Sequence, residues 1–275
     1  MEQVERFQAD LHMHSEHSHD GKHPVPELCE AALEKGLQAI CITDHADIPG
    51  CQGKPYLEAS VAAAKAAKKQ YEGRLQVFAG IELGCAYVNP EYCKELIQKG
   101  GYDEVISSVH ALRYKNKEGS HRFFDFSQME EAAIHECLSN YFADVLRAIE
   151  AVECDIVAHL TCPLRYINGV YHRNITLGCH EEEIRKILEY MIRHEIALEV
   201  NTSCKGGAYD EWLPNEWILR MYHDMGGYLL TFGADAHVTE RIYWYGEETA
   251  SLLKECGFRQ LYYYKERCAY PYDIV

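Results

Sequence analysis

The 275 residues, 47% hydrophobic and 25% charged, suffice for one large α/β core and exclude a disordered, collagenous or coiled-coil chain. A net charge of −16, from 27 basic against 43 acidic residues, repels nucleic acid and anionic membranes, which argues against a binder of phosphate backbones. The opening MEQVERFQADLHMHS lacks a basic start followed by an apolar run, no stretch approaches the length of a membrane span, and the 12 cysteines include no CxxC pair. The expectation is a cytoplasmic protein with reduced thiols, most of them buried as small hydrophobes.

Short apolar runs alternate with helical patterns along the whole chain. In order, the patterns predict strand Gln8–His14, helix Pro26–Lys35, strand Ala39–Thr43, helix Pro55–Tyr71, strand Gln76–Leu83, helix Glu91–Lys99 and strand Glu104–His110. Helix Gln128–Ala151, strand Asp155–Leu160, helix His180–His194, strand Ala197–Thr202, helix Asn215–Met225, strand Leu229–Ala234, helix Gly246–Cys256 and a weaker strand Gln260–Tyr264 follow. Prolines open several of these helices and glycines follow them, the usual punctuation. Strands apolar on consecutive residues suit a parallel sheet buried on both faces. Repeated βα units favour a closed barrel or a large open sheet, and either places functional groups at the carboxyl ends of the strands. Two long connections, Arg113–Ser127 and Thr161–Cys179, are expected to be binding loops.

Histidine is the anomalous residue: there are 15, five of them between positions 12 and 23. The first strand ends in DLHMHS, where alternation puts Asp10, His12 and His14 on one face. Two imidazoles so placed suit a divalent metal. Later strands end alike: TDH brings Asp44 and His45, GIE brings Glu82, SSVH brings His110, AHL brings His159 and GADAH brings Asp235 and His237. Asp10 has the alternative role of orienting His12, and Asp44 that of an outer group or general acid. The helix-borne His135, His194 and His223 are expected to be surface or packing residues. His17, His19, His23, His121, His172 and His180 fall in loops and read as solvated, with His17 or His19 able to reach a metal or substrate.

As an ordered set, DLHMHS, TDH, GIE, SSVH, AHL and GADAH resemble the polymerase and histidinol phosphatase (PHP) group of metal-dependent phosphoesterases. EVNTS at 199–203 and the closing LLKECGFRQLYYYKER resemble its histidinol-phosphate phosphatase branch. The resemblance implies a distorted (β/α)7 barrel, one PHP domain over residues 1–275, and a centre of three divalent ions, zinc, manganese or iron. It implies that His12, His14, Glu82 and Asp235 hold the first ion, and that Glu82, His110 and His159 hold the second. It implies that His45, His237 and Asp20, with His19 as the fallback, hold the third, and that Glu82, Asp235 and His237 carry the catalytic burden. The implied activity is that of a phosphoric monoester hydrolase converting L-histidinol phosphate to L-histidinol and phosphate, in histidine biosynthesis, through a hydroxide bridging the metals. The chemistry agrees: ions side by side lower the pKa of a bridging water and clamp phosphoryl oxygens.

Protein cations would take the remaining phosphoryl oxygens. Arg165, six residues beyond His159, is the first candidate, and Arg173 is another on the same loop. Relatives of this branch carry a glycine and an arginine soon after the NTS element, whereas this chain reads NTSCKGG, so Lys205 is a further candidate. The expected partner is a small phosphate monoester, not nucleic acid or membrane. The alternatives are a PHP enzyme acting on another small phosphate such as a nucleotide bisphosphate, an amidohydrolase-type enzyme, and a non-catalytic metal-binding module.

Overall fold

A run such as AICI is apolar on every residue, so a strand built from it must be covered on both faces, and ALEVN is buried on all five residues although two are polar. The computed structural model describes residues 7–48, 50 and 56–274. Cys51, the predicted helix start at Pro55 and the first six residues of the opening segment lie outside them. In chain order the elements are β1 (Ala9–Met13), α1 (Val25–Glu34), β2 (Ala39–Ile42), β3 (His45–Asp47), α2 (Tyr56–Gln70), β4 (Gln76–Gly84), α3 (Pro90–Gly100), β5 (Glu104–Ser108), β6 (Ala111–Tyr114) and β7 (Lys117–Ser120). They continue with α4 (Glu131–Ala151), β8 (Ile156–Val157), α5 (Glu181–Arg193), β9 (Ala197–Asn201), α6 (Glu216–Asp224), β10 (Leu230–Gly233), α7 (Gly246–Glu255), β11 (Gln260–Lys265) and β12 (Cys268–Asp273).

Seven strands pair in parallel in the order β1-β2-β4-β5-β8-β9-β10. The two ends of this sheet meet without a regular ladder. Met13 bridges Ala236, the His14 N–H donates to the Ala236 carbonyl at 2.8 Å, and the Ala236 N–H donates to the His12 carbonyl at 3.2 Å. Below them the buried Asp10 carboxylate accepts the N–H groups of Tyr243 (2.8 Å), Ala234 (3.0 Å) and His12 (3.3 Å). Burial pushes the Asp10 carboxyl up to about 6 despite these three amides. One side chain thus stitches the seam of a distorted (β/α)7 barrel, and Asp10 touches His12 through the backbone rather than orienting its ring.

Three departures from the predicted elements bear on the site. β4 pairs with β2 along its first half and with the short β3 along its second, because the chain breaks step at Thr43 and Asp44 before resuming. An antiparallel hairpin, β6–β7, begins two residues before the predicted loop Arg113–Ser127 and runs into it, and Arg113 anchors it by a paired contact (2.6 and 2.7 Å) to buried Asp144 of α4. The predicted loop Thr161–Cys179 contains a π-helical segment, Arg165–Val170.

The predicted strand at Gln260–Tyr264 is real but does not join the barrel. It pairs with β12 in a hairpin that lies across the amino ends of the barrel strands. There Glu266 donates its N–H to Asp103 (3.1 Å), the Tyr264 hydroxyl donates to the Asp155 carbonyl (3.2 Å), and Arg267 pairs with the Asp155 carboxylate. Burial raises the Asp155 carboxyl and Arg267 opposes that rise. Arg267→Ala would leave this carboxylate buried without its cation, at a cost of about 2 kcal/mol for a partly exposed pair. Without the arginine the folded carboxyl is harder to ionise, so the deficit is largest at neutral pH and shrinks in acid as Asp155 protonates. Urea unfolding of both proteins at neutral pH and near pH 4 checks this; a deficit that grew in acid would contradict it.

Candidate metal centre

The carboxyl ends of the barrel strands deliver their polar side chains to one point. Glu82 of β4 lies at its middle with no solvent exposure. Its Oε2 is 3.5 Å from His12 Nε2 and 3.7 Å from His14 Nε2, and those two nitrogens are 3.8 and 3.3 Å from Asp235 Oδ1. Its Oε1 is 3.0 Å from both His110 Nε2 and His159 Nε2. A third group lies beside the first: Asp20 approaches His45 Nε2 at 3.6 Å and His237 Nε2 at 3.3 Å, while His45 Nδ1 lies 2.6 Å from Glu82 Oε2. Every residue that the resemblance assigns to a metal therefore converges here. His19 is largely exposed, with Nε2 3.4 Å from Asp20.

The outer nitrogens explain why the inner ones are free. His12 Nδ1–H donates to Glu199 Oε1 (2.6 Å), His110 Nδ1–H to Asp47 Oδ1 (2.7 Å) and His237 Nδ1–H to the Asp235 carbonyl (2.9 Å). His14 Nδ1 lies 3.2 Å from the Ser18 hydroxyl, whose proton goes to Asp44. Each contact fixes the proton on Nδ1 and turns the Nε2 lone pair inward, the tautomer a metal ligand needs. Two glycines make room for two of these pairs. A Cβ on Gly233 would fall 2.1 Å from Glu199 Oε1, and one on Gly84 would fall 2.0 Å from Asp47 Oδ1. His159 and Asp235 hold positive φ, 28° and 54°, backbone that non-glycine residues seldom adopt and that here aims both side chains inward.

Electrostatics makes the arrangement costly in the absence of cations. Burial pushes the Glu82 carboxyl up, but His45, His110 and His12 outweigh it and hold it well below the usual carboxylate range. Asp235 is held low by His12, His14 and His237 against the same burial. Burial, with repulsion from His45 and His237, drives His14 down to about 3. His12 Nε2, His14 Nε2, His45 Nδ1, His159 Nδ1, Glu82 Oε2 and Asp20 Oδ1 are buried without a hydrogen bond. Buried polar atoms are normally satisfied. A nitrogen- and oxygen-rich set of unsatisfied donors, several within bonding reach of a common point, fits divalent metal ions.

A cavity of about 430 Å3 opens over the centre, and Arg165, His121, Cys162, Tyr166, Arg122 and Phe123 form part of its wall. Arg165 donates to the Ser203 hydroxyl and to Cys204 Sγ (3.1 Å), and its Nη2 lies 3.6 Å from Asp235 Oδ2. The other two candidate cations are elsewhere. Arg173 is bound to the carbonyls of Phe126 and Met129 (2.7 Å to the latter), and Lys205 is enclosed by Asp210 (2.8 Å) and the Trp212 ring (3.9 Å). Both are structural contacts, so neither side chain faces the cavity.

Asp44 is equally committed. Its carboxylate accepts the Ser15 N–H and the hydroxyls of Ser15, Ser18 and Ser60, at 2.6 to 2.9 Å, which leaves it no role as a general acid. His121 is not solvated but buried in the cavity wall, where its Nε2 has no partner. Glu199 and Asp47 carry no sequence signal as outer carboxylates, although the first opens EVNTS and the second lies two residues beyond TDH.

The sequence matches the PHP domain family over residues 10–203. The chain belongs to that family of metal-dependent phosphoesterase domains. It is 28% identical to a probable histidinol-phosphatase of Thermotoga maritima, over 92% of this chain and 94% of that one. It is 24% identical to a histidinol-phosphatase of Lactococcus lactis, over 92% of each. A crystal structure of the Lactococcus lactis histidinol phosphate phosphatase, with zinc, L-histidinol and phosphate, has the same fold, with a TM-score of 0.80, 24% identity and coverage of 96% of this chain and 98% of that one.

Removing an outer carboxylate should loosen the centre without deleting a donor. Glu199→Ala should weaken metal binding by about 10- to 100-fold, as loss of such partners does elsewhere. Competition with a chelator of known affinity measures it; unchanged affinity would reduce the Glu199–His12 contact to simple packing.

Proposed function

We propose that this protein is a metal-dependent phosphatase that hydrolyses L-histidinol phosphate to L-histidinol and phosphate in the cytoplasm, as a step of histidine biosynthesis. The observation that carries the reaction class is Glu82, a fully buried carboxylate whose two oxygens face two different sets of imidazoles beneath an open cavity. The full-length similarity to proteins named histidinol-phosphatases supports the substrate, and a set of described cysteines that are all free suits a reducing compartment.

In this reading His12, His14, Glu82 and Asp235 hold one divalent ion, Glu82, His110 and His159 a second, and His45, His237 and Asp20 a third. Zinc, manganese and iron all suit these donors. Such ions supply a water acidic enough to attack phosphorus at neutral pH and positive charge for the phosphoryl oxygens. The chain does the rest. Glu199, Asp47 and Ser18 orient the ligating imidazoles by holding the Nδ1 proton on the outer side of each ring. Arg165 binds a phosphoryl oxygen, its guanidinium held in place by Ser203 and Cys204. Tyr166, Phe123 and His121 enclose the rest of the substrate and limit the water around it.

Phosphate release from histidinol phosphate, by protein of measured metal content, tests the proposal. Chelation should abolish turnover and added zinc, manganese or iron should restore it. Glu82→Ala should lose metal and turnover together. Preference for a nucleotide bisphosphate in a panel of phosphate esters would redirect the substrate, and full activity in metal-free protein would overturn the mechanism. Ligating imidazoles must be neutral and carboxylates ionised, so metal occupancy should fall in acid; occupancy constant down to about pH 4 would contradict the ligand set.

Arg165→Ala should leave bound metal unchanged while lowering kcat/KM about 100-fold, on the order of 3 kcal/mol for a charge-assisted contact in a water-poor site. Arg165→Lys should recover only part of this, because an ammonium lacks the paired geometry of a guanidinium. Steady-state kinetics beside metal analysis decides, and wild-type kcat/KM in Arg165→Ala would remove this residue from phosphate binding.

A further inference from the structure

Outside the barrel mouth, three soft donors meet where α4 faces the turn that precedes α5. His135 Nδ1 lies 3.0 Å from His180 Nε2 and 3.3 Å from Cys179 Sγ, and the three atoms lie within 4.8 Å of one another. One imidazole nitrogen cannot share a single proton with two neighbours at once, so hydrogen bonding alone accounts for only part of this convergence. Zinc bound at about 2.0–2.1 Å to nitrogen and about 2.3 Å to sulfur sets tetrahedral ligands roughly 3.3–3.6 Å apart, close to the spacings found here.

The far side of each ring gives an independent indication. His180 Nδ1 faces Glu183 Oε1 at 3.6 Å and Ser139 Oγ at 3.5 Å, and the Ser139 hydroxyl is tied to Glu183 at 3.2 Å. His135 Nε2 faces Glu131 Oε1 at 3.7 Å. Both imidazoles thus have a carboxylate within ion-pair distance of the nitrogen that points away from the cluster, the side on which outer carboxylates sit behind ligating histidines. His180 is buried, whereas Cys179 is exposed and free.

We propose that His135, Cys179 and His180 form a separate site for a soft divalent cation, zinc by its chemistry, with the fourth position left to water. It shares no residue with the ligands grouped around Glu82, and it would pin the end of the Thr161–Cys179 connection, whose start carries Arg165, onto α4. Thiolate, two imidazoles and carboxylates one layer out favour zinc over magnesium or calcium, which take oxygen.

Cobalt distinguishes the two sites, because a cobalt–thiolate charge-transfer band requires a cysteine ligand and the donors grouped around Glu82 are nitrogen and oxygen only. Full-length protein stripped of metal and titrated with Co2+ should develop that band, and added Zn2+ should bleach it. The band should persist in Glu82→Ala, and it should be lost in Cys179→Ser and His135→Ala. In zinc-loaded protein, Cys179→Ser should contain one equivalent less per chain by elemental analysis. Zinc should also protect Cys179 from alkylation, read by peptide mapping in the unmutated protein. Absence of the band, its survival in Cys179→Ser, or its loss in Cys162→Ser would overturn the site. Equal alkylation with and without zinc would do the same, whatever the fate of the phosphatase reading.

Discussion

A carboxylate with no access to water, facing five imidazoles, is the constraint on which the rest of this molecule depends. Glu82 is tolerable inside the barrel only because His12, His14, His45, His110 and His159 surround it, and those rings are tolerable together only because Glu82 and Asp235 separate them. Removing two opposite charges from water costs several kcal/mol for each ion, and the mutual attraction offsets this only with good geometry and full hydrogen bonding. Here the hydrogen bonding is incomplete on the inward side, while on the outward side His12, His110 and His237 are all engaged. A site engaged at three of its outer nitrogens and so unsatisfied at its centre is organised for cations that the polypeptide itself does not provide.

The barrel is distorted to serve that centre. β2 stops at Ile42 so that Asp44 can gather three serine hydroxyls, and β3 restarts to place His45 against Glu82 and Asp47 behind His110. The β1–β10 seam gives up a regular ladder, and the carboxylate of Asp10 takes the Ala234 amide at the end of β10 and the Tyr243 amide of the turn before α7. Gly84 and Gly233 are the positions where any side chain would occupy the place of an orienting carboxylate. Backbone regularity has been exchanged for side-chain position at each of these points. The opposite end, closed by the β11–β12 hairpin, carries none of these histidines.

The strand ends are legible in the sequence because parallel strands buried on both faces are apolar until their last residues, so a His, Asp or Glu at that boundary stands out. That regularity exposes His12, His14, His45, Glu82, His110, His159, Asp235 and His237 as a set. The outer carboxylates are not legible, since Glu199 lies inside a strand and Asp47 just beyond a motif, and only folding brings them to His12 and His110, 187 and 63 residues away in sequence. His121 is hidden because the turn of the β6–β7 hairpin is Lys-Asn, with Lys115 at φ 52° in place of a glycine signal. Lys205 and Arg173 mislead because proximity in sequence to a motif does not reveal which carbonyl, ring or carboxylate a long cation will find first. β11 carries a weaker form of the strand signal, and a single strand's pattern does not distinguish a barrel member from half of a hairpin.

Net charge and function meet in an unexpected sense. A surface carrying −16 repels a phosphate monoester at long range, so attraction has to be concentrated at the cavity itself. Beyond a Debye length of about 8 Å at physiological salt the repulsion is largely screened, whereas groups inside the cavity act at contact distance with little water between them. Arg165 is a cation in the wall of that cavity: its guanidinium reaches toward Asp235 at the edge of the centre and is held by Ser203 and Cys204. Phosphate recognition is therefore a local property of the barrel mouth, built against the sign of the whole protein, and the same overall charge discourages polyanionic competitors that a basic surface would collect.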